Sequence, residues 1–302
     1  MLDRLSIMLY IYIMNKLPIA KRTQIIQLLV EGMSLRATSR VADVSINTVT
    51  KLLVDVGAAC QQFHDATVIG VNSQRVQCDE IWSFVYAKEK NVESAVAAPD
   101  KAGDVWTWTG IDADSKLIVS WFVGNRDAES AYEFMQDIKS RIANRIQLTT
   151  DGFKPYLTAV EATFEGNIDF AQLVKIYGSA QGEGNDKRYS SAEYTGAKKT
   201  IIDGRPDEAH ISTSYVERQN LTMRMHMRRF TRLTNGFSKK VENHCHAIAL
   251  HFVYYNFCKV HKTLRVTPAM EAGLADRPMS IAQIAELAPI ESPKVRGKYK
   301  KD

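Results

Sequence analysis

The spacing of apolar residues predicts helices in the first part of the chain and alternating strands and helices in the rest. In "PIAKRTQIIQLLVEG", Ile25, Leu28 and Leu29 lie on one face of a helix. Pro18 suits the first turn of that helix, and Gly32 suits its end. The chain is therefore predicted to begin with an amphipathic helix.

Two short helices joined by a tight turn are predicted next. Ser34 can cap a helix that runs to about residue 41, "ADVS" forms the turn, and Ser45 can cap a second helix over residues 46–56. This order is typical of a helix-turn-helix, whose second helix enters the major groove of DNA, although an ordinary helical hairpin is the alternative. The side chains predicted to face outward toward DNA on the second helix are Asn47, Thr48, Thr50 and Lys51.

From about residue 74 the residue pattern changes to one that predicts strands. β-Branched and aromatic residues predict strands at "RVQCDEIWSFVYA", on both sides of the turn "DADSK", at "IQLTTDG" and at "DFAQLVKIYG". Helices are predicted at "RDAESAYEFMQDIKSRIAN" and "FKPYLTAVEATF", and two more at roughly 212–230 and 237–258. The polar, glycine-rich stretch from "SAQGEGND" onward is predicted to be a loop. This order of elements predicts an α/β domain with a mixed sheet.

Composition is that of an ordinary globular protein with a sizeable core, since 45% of the 302 residues are hydrophobic and 24% are charged. The net charge of +5 permits a nucleic-acid partner without requiring one. Basic residues cluster in 218–240, a segment without Asp or Glu, and in the tail "KVRGKYKKD". Such clusters are typical of proteins that bind phosphate backbones, although the tail alone fits a solvated surface.

Cysteine usage and hydropathy give expectations about location. The four cysteines are far apart and include no CxxC pair, which argues for a reducing compartment. The apolar run in "MLDRLSIMLYIYIM" is too short to span a membrane, and no cleavage-site pattern follows it. Met14 is therefore expected to be the natural start, with residues 1–13 a non-native extension, and the protein is expected to be cytoplasmic.

Three acidic residues stand out by their positions in the predicted fold. Asp79 lies inside the first strand, where charged residues are disfavoured, and Asp151 ends the fourth strand, where side chains enter the crevice at the edge of an α/β sheet. Glu217 opens an otherwise basic helix, and the helix dipole alone could explain an acidic residue there. Three converging carboxylates would suit two Mg²⁺ ions, a pair that promotes phosphoryl transfer.

Arginines on the helix of Glu217 could bind the DNA being cut. Arg224 and Arg228 lie seven and eleven positions after Glu217, so a continuous helix would place all three on one face. Guanidinium groups suit phosphate because they can donate two parallel hydrogen bonds. Arg218 and Arg229 complete the set of candidate DNA-binding residues on this helix.

The segments "QCDEIWSFV", "WTWTGIDADSKLIVSWFVGNRDAESAYEFM", "QLTTDGFKPY" and "SYVERQNLTMRMHMRRFTRLTNGFSKK" follow one another along the chain. Together they resemble the bacterial insertion-sequence-one transposases, which are of the DDE type. "YYNFCKVHKTLRVTPAM" resembles the segment that follows the catalytic core in several such families. The likeness runs from about Pro18 to Ala272, nearly the whole chain.

The resemblance implies an RNase H-like mixed sheet flanked by helices, over residues 74–272, preceded by a small helix-turn-helix domain over 14–60. It implies that Asp79, Asp151 and Glu217 form a catalytic triad that binds metal, with Mg²⁺ as cofactor and Mn²⁺ as a substitute. Arg224 would be the basic residue that follows the glutamate in the family's signature. Residues 181–210 would be an insertion loop, and residues 273–302 a basic tail.

The implied activity is that of an insertion-sequence transposase. It would bind double-stranded DNA, both the terminal repeats of the element and the target, and it would catalyse phosphodiester hydrolysis and strand transfer without a covalent protein intermediate. Joining two ends implies at least a dimer on DNA. The protein would be associated with the bacterial nucleoid and have no membrane partner. One departure from longer family members is the lack of a cysteine-rich zinc element before the helix-turn-helix.

Two other functions stay open at this point. One is a DNA-binding regulator, derived from a transposase, that retains the helix-turn-helix but has lost catalysis; the presence of all three carboxylates counts against it. The other is an RNase H-like nuclease with no joining step. The helix-turn-helix and the basic helices favour a transposase over that nuclease.

Several nearby residues have competing interpretations. Glu80 must face the opposite side of its strand from Asp79, and the family motif favours Asp79 as the ligand. Asp112 and Asp114 are predicted to make local hydrogen bonds at a strand turn. Tyr156 could stack on a DNA base or pack in the core. The His and Cys residues of "HCHAIALHFVYYNFCKVH" match no standard zinc spacing, so this helix is predicted to be structural.

Overall fold

A mixed six-stranded sheet with helices on both faces forms the centre of the fold. The computed structural model describes residues 17–178, 194–231 and 235–288. The strands run in the order β3-β2-β1-β4-β5-β6, with β1, β4 and β5 parallel and with β2 and β6 antiparallel to their neighbours. The predicted mixed α/β architecture is confirmed. The strands are β1 (Arg75–Val85), β2 (Gly103–Asp112), β3 (Ile118–Gly124), β4 (Gln147–Thr150), β5 (Asp169–Tyr177) and β6 (Tyr194–Asp203).

Helices precede, cover and follow the sheet. The two serines predicted as N-caps do cap their helices, because Ser34 Oγ accepts from the N–H of Ala37 and Ser45 Oγ accepts from the N–H of Thr48. The α-helices are α1 (Ile19–Val30), α2 (Leu35–Ala42), α3 (Ile46–Thr67), α4 (Glu89–Val92), α5 (Ala128–Arg141), α6 (Pro155–Phe164), α7 (Ser214–His226), α8 (Val241–Val253), α9 (Pro268–Glu271) and α10 (Ile281–Leu287). α8 continues into a π-helix over Tyr254–Cys258.

Strand β1 divides its side chains between two cores. Val76 and Cys78 pack beneath α5 and α6 on one face of the sheet. Ile81 packs on the other face with residues of α7 and α8. Because side chains alternate along a strand, Asp79 is directed to the α7 side and Glu80 to the α6 side.

The N-terminal helices share one apolar core with the helices that follow the sheet. Ile26, Leu53 and Val56 belong to the same buried cluster as Leu250 of α8 and Phe257 of the π-helix. Helices α1, α2 and α3 thus lie against the body of the protein. Their burial depends on residues from the far end of the chain.

Helix α3 extends well beyond its predicted end near residue 56 and stops only at Thr67. The extension packs against α8 at very close range. A Cβ added to Gly57 would lie 2.4 Å from the Cβ of His246, so only glycine permits this approach. The predicted end near residue 56 is wrong, because the helix continues through Gly57, where it crosses α8.

The predicted loop over residues 181–210 is wrong in its second half, which contains β6. β6 pairs antiparallel with β5 and forms the outer edge of the sheet. Its residues are mostly exposed, so an apolar alternation that would have revealed the strand is missing. Residues 179–193 of that segment lie outside the described residues.

The basic helix predicted over residues 212–230 ends earlier, at His226. The backbone leaves the helical region at Met227, where φ is −135° and ψ is 106°, and Arg228–Phe230 form a separate 3₁₀ turn. Met227 and Phe230 are buried in the same core as Ile81. The helix stops because these two apolar side chains turn into the core.

The predicted C-terminal tail, residues 273–302, begins with ordered structure. α10 carries a capping box, in which Ser280 Oγ accepts from the N–H of Gln283 and the Gln283 side chain accepts from the N–H of Ser280. Ile284 and Ala285 of α10 are buried in the core shared with the N-terminal helices. Residues 289–302, which include the basic stretch, lie outside the described residues.

The hydropathy of the helices bears on membrane association. Among the residues that the structure describes, no helix has both the length and the apolar character needed to cross a bilayer.

Strand β3 lies at the edge of the sheet, and Asn256 satisfies its backbone. The side-chain Oδ1 of Asn256 accepts from the N–H of Ile118 at 2.9 Å, and Nδ2 donates to the carbonyl of Ile118 at 2.9 Å. Asn256 is fully buried, so these backbone groups have no access to water. One amide thereby ties the π-helix to the sheet edge.

We expect Asn256→Ala to lower the free energy of unfolding by about 1–3 kcal/mol, because the buried N–H of Ile118 loses its partner and the carbonyl keeps only the longer contact with Nε2 of His64, at 3.3 Å. Urea denaturation followed by circular dichroism would measure this loss. Asn91→Ala, at an exposed position, is the matched control and should change the free energy by less than about 0.5 kcal/mol. Equal stability of the two variants would contradict the bridging role of Asn256.

Candidate catalytic site

Asp79 and Asp151 meet because two parallel strands end at different places. β4 pairs with β1 only as far as Thr150, which lies opposite Cys78. Asp79 continues along β1 past that point, and Asp151 follows β4 directly. The two carboxylates, 72 positions apart in the chain, therefore lie side by side.

Asp79 is held by two hydrogen bonds. Its Oδ1 accepts from the N–H of Glu80 at 2.9 Å, and its Oδ2 accepts from Nδ2 of Asn220 in α7 at 2.8 Å. Burial raises the pKa of Asp79 to about 7, and the negative charges of Asp151 and Glu217 add to this increase. The carboxyl group of Asp79 is thus poised to gain or lose a proton near neutral pH.

Asp151 occupies the turn between β4 and α6. Its Oδ1 accepts from the N–H of Phe153 at 2.9 Å, which fixes the side chain in an Asx turn. Its Oδ2 lies 3.5 Å from Nη2 of Arg126. The side chain is 36% exposed, so Asp151 is the member of the pair that opens to solvent.

Glu80 is a third carboxylate of this cluster. Because it faces the opposite side of β1 from Asp79, the alternation of side chains along the strand did not predict that it would lie there. Ligand oxygens of Asp79, Glu80 and Asp151 lie within 4.8 Å of one another. Glu80 does face the opposite side of β1, but Asp151 lies beyond the end of β4 and can approach both sides. The Glu80 side chain is 1% exposed and accepts hydrogen bonds from the Tyr156 hydroxyl and from Nε of Arg126.

The environment of Glu80 disfavours its charge. Burial raises the pKa of Glu80 to about 7, and the nearby charge of Asp151 contributes to the increase. Tyr156 itself is fully buried and packs edge-on against Trp108, so the core interpretation of Tyr156 is the correct one. Its hydroxyl donates to the Glu80 carboxylate and so holds one member of the cluster in place.

Glu217 lies in the same cavity but outside the group of three. Its Oε1 accepts from the Thr213 hydroxyl at 2.6 Å, and its Oε2 pairs with the ammonium of Lys175. Asn220, which donates to Asp79, lies one turn later on α7. The first turns of α7 therefore present Glu217 and Asn220 to the same cleft.

Arg126 and Lys175 are the cations that pair with the acidic residues of the site, and neither was predicted. Arg126 follows β3, contacts two of the carboxylates, and lies 4.0 Å above the centroid of the Phe153 ring. Lys175 is the one charged residue of "FAQLVKIY". A charge within this strand was the feature of the sequence that could have identified it. Both cations reduce the repulsion among the acidic residues.

These groups line one cavity of about 820 Å³ at the edge of the sheet. The carboxyl end of β4, the carboxyl half of β5 and the start of α7 form its walls, which is where ligands bind in open α/β sheets. Its charged lining residues are Asp79, Arg126, Asp151, Lys154, Lys175 and Glu217.

The donor set fits a hard divalent cation. Mg²⁺ prefers carboxylate oxygens and retains several waters, and an open cavity lined by carboxylates offers both. Burial is the main cause of the raised pKa values of Asp79 and Glu80, and the converging negative charges, which lack full compensation, add to it. A divalent cation at this position would provide that compensation. Asp79, Asp151 and Glu217 are the residues that the resemblance assigns to metal binding.

Of the predicted DNA-binding residues on α3, Asn47 and Lys51 are exposed. Thr48 shares a hydrogen bond with the hydroxyl of Ser45 at 2.8 Å, so it belongs to the cap of the helix. Thr50 Oγ1 donates to the carbonyl of Ile46 at 2.9 Å. Lys51 pairs with Asp55, one turn later on the same helix, at 2.8 Å. Asn47 and Lys51 nevertheless lie more open to solvent than the two threonines.

The arginines of the basic segment fall into two groups. Arg218 is exposed and Arg224 is half-buried, both on α7 with Glu217. The prediction that Arg228 shares their helix face is wrong, because the helix ends at His226. Arg229 is partly buried, and its Nη1 donates to Ser238 Oγ at 2.9 Å and to the carbonyl of Asn243 at 3.0 Å, so it is less open to DNA than Arg218. Burial lowers the pKa of Arg229 to about 10.

Asp112 and His244, which were predicted to be structural, make hydrogen bonds within the protein. Asp112 accepts from Ser73 Oγ at 3.0 Å and from the N–H of Asp114 at 3.2 Å. His244 is buried between the hydroxyls of Ser83 and Ser238. Over the described parts of the chain, the acidic cluster is the one group of His, Cys, Asp and Glu arranged to hold a metal ion.

Neither a protein-family model nor a curated protein matches the chain.

The raised pKa of Asp79 predicts a specific pH dependence of stability in metal-free buffer. The unfolded Asp79 ionises near pH 4, whereas the folded residue holds its proton to about pH 7. Its favourable contribution is complete below pH 4 and is lost as the pH rises through 7. We expect Asp79→Asn to match wild type at pH 4 and to melt a few degrees higher at pH 8.

Thermal denaturation in EDTA at a series of pH values would measure this difference in Tm. Comparing variant with wild type removes the opposing effect of the buried histidines. Asp100→Asn, at an exposed position, is the control and should give a constant difference. A difference between Asp79→Asn and wild type that does not grow with pH would contradict the assigned environment of Asp79.

Proposed function

We propose that this protein is a DDE-type DNA transposase of the insertion-sequence-one family. The observation that carries the proposal is the convergence of Asp79, Asp151 and Glu217, from three distant parts of the chain, on one cavity. The helix-dipole explanation for Glu217 accounts for neither its neighbours in the cavity nor its pairing with Lys175. A site for a metal-dependent reaction on a polyanion accounts for both.

The topology of the sheet supports an RNase H-like catalytic domain. The resemblance implies such a mixed sheet, and the order β3-β2-β1-β4-β5, with β2 antiparallel to both of its neighbours, is compatible with it. One carboxylate comes from the central strand, the next from the end of the adjoining parallel strand, and the third from the helix after the sheet. This arrangement supports the assignment of the three residues to one site.

The residues of the cavity have separate roles in the proposed reaction. Asp79, Asp151 and Glu217 would hold Mg²⁺, which when bound supplies charge stabilisation for phosphoryl transfer. Arg126 and Lys175 would contact non-bridging oxygens of the phosphate through their positive charges. Asn220 keeps the Asp79 carboxylate oriented, and Phe153 supports the guanidinium of Arg126.

Two in-line displacements would take place at this site. In the first, a water gives up a proton as its oxygen bonds to phosphorus, the bond from phosphorus to the 3′-oxygen breaks, and the departing 3′-oxygen takes up a proton. In the second, the freed 3′-hydroxyl gives up its proton as its oxygen bonds to a target phosphorus, and the target's own 3′-oxygen leaves and takes up a proton. No bond between the protein and DNA forms in either step.

The N-terminal helices would supply binding to the ends of the element. α2, the turn at Asp43 and α3 have the order and the caps of a helix-turn-helix, and Asn47 and Lys51 are exposed on the second helix. A helical hairpin with a purely structural role is the alternative for this segment. Asp43 adopts the left-handed conformation, with φ of 50°, which makes the turn tight.

Removing a carboxylate should abolish the chemistry and leave the fold intact. We expect Asp151→Ala and Glu217→Ala to lower Mg²⁺-dependent cleavage and joining of a labelled linear duplex that carries the element's end by about 100-fold or more. Gel electrophoresis of the labelled products would measure both steps. Glu133→Gln, at an exposed position of α5, is the control and should retain activity.

The outcomes of this assay separate the candidate functions. Cleavage and joining by wild type alone support the transposase, and cleavage without joining would indicate a nuclease. Binding of the duplex without cleavage in Mg²⁺ or Mn²⁺ would favour the regulator. Product that survives both substitutions would mean that the active site lies elsewhere.

Binding of the element's end should depend on the exposed residues of α3. We expect the double variant Asn47→Ala, Lys51→Ala to bind an end duplex at least about tenfold more weakly, with a smaller loss for a scrambled duplex. Fluorescence anisotropy at fixed salt would measure both affinities. Gln62→Ala, exposed farther along the same helix, is the control. Unchanged discrimination between the duplexes would place end recognition in another part of the protein.

A further inference from the structure

The last residues of β5 and the first residues of β6 form a two-stranded ribbon that leaves the sheet beside the cavity. β4 pairs with β5 only up to Gln172, so residues 173–177 have β6 as their one neighbouring strand among the described residues. Tyr177 and Tyr194 are cross-strand partners near the end of this ribbon. Their rings are 6.3 Å apart in an edge-to-face arrangement.

Both tyrosines are unusually open to solvent. Tyr177 is 56% exposed and Tyr194 is 57% exposed, so much of each ring faces water. A cross-strand aromatic pair can stabilise a hairpin, but that role alone would favour rings covered by neighbouring side chains. Two exposed aromatic rings at one place form a surface suited to stacking.

The ribbon is connected directly to the acidic site. Lys175 and Tyr177 are two residues apart on β5 and therefore share a face, and both line the cavity. Lys175 pairs with Glu217 at one side, and the Tyr177 and Tyr194 rings lie at the other. A strand bound at the carboxylates would thus reach the tyrosines within a short distance.

The charge of the ribbon favours a polyanionic partner. Residues 173–177 and 194–199 include Lys175, Lys198 and Lys199 and no acidic residue. Lysines on an exposed edge strand also discourage pairing with the edge of another copy of the chain. Nucleic acid is the partner that matches positive charge next to exposed aromatic rings.

We propose that Tyr177 and Tyr194 form a stacking platform for an unpaired base of the DNA strand whose phosphate lies in the cavity. The inference rests on the proposed function and specifies how the substrate is held. Stacking is insensitive to base identity because every base has a π-face. It requires a base free of its partner strand, so the platform selects frayed or distorted DNA next to the cleavage point.

The test is a binding measurement without Mg²⁺. The probe is a duplex with a short 3′ single-stranded extension that carries 2-aminopurine. Wild type and Tyr177→Phe should quench the 2-aminopurine fluorescence. Tyr177→Ala and Tyr194→Ala should abolish the quenching and weaken binding by about tenfold. Tyr132→Ala removes a similarly exposed tyrosine on α5 and should behave as wild type.

An abasic probe distinguishes stacking from a structural role of the tyrosines. When the base is absent there is nothing to stack, so wild type and the two alanine variants should bind that probe equally. If the alanine variants also bind the abasic probe more weakly, or if they only lower the Tm, the tyrosines merely stabilise the ribbon and the proposal fails. A changed sedimentation coefficient would instead make the ribbon an interface between copies, which also overturns it.

Failure of this inference is distinguishable from failure of the proposed function. Wild type that binds and cleaves the duplex, together with alanine variants that quench normally, would overturn the stacking platform and leave the transposase intact. Asp151→Ala should still quench, because that substitution leaves the platform in place. Wild type that neither binds nor cleaves any of the duplexes would overturn both.

Discussion

The proximity of like charges at the carboxyl end of the sheet is the constraint on which the site depends. Parallel pairing of β1 and β4 stops at Thr150, and this brings Asp151 to Asp79 and Glu80. Holding these groups together in a buried place costs free energy: burial, and after it the neighbouring negative charges, raise the pKa values of Asp79 and Glu80. The surrounding structure supplies the compensation. Arg126 comes from the end of β3, and Asn220 comes from α7.

The sheet and two of the carboxylates could be predicted because their signals are local. Runs of β-branched and aromatic residues identified β1 to β5, and Asp79 stood out as a charge within such a run. Asp151 stood out because it ends a strand. Glu80 could not be assigned in this way, since its place in the cluster depends on where the neighbouring strand stops. Arg126 likewise becomes part of the site only through the pairing of β3 with β2.

One strand and two helix boundaries were harder to predict, because exposure or core packing there overrides the pattern of apolar and polar residues. No residue of β6 is buried, so its sequence looks like a loop. Arg228 follows an apparent helical spacing that Met227 and Phe230 interrupt by turning into the core. The Ser280 capping box and Ile284 were readable signals for α10, but the basic residues that follow made the whole segment look like a tail.

The shared core of the N-terminal helices limits how the chain can be divided. Ile26 and Leu53 are buried against Leu250 and Phe257, and the crossing at Gly57 brings the backbones of α3 and α8 close together. A fragment that starts at β1 would leave this face of α8 as a large apolar surface in water, which favours aggregation. The DNA-binding and catalytic parts proposed here are therefore not modules that can be exchanged by joining sequences at a linker. Any chimera would have to carry the matching face of α8 along with the N-terminal helices.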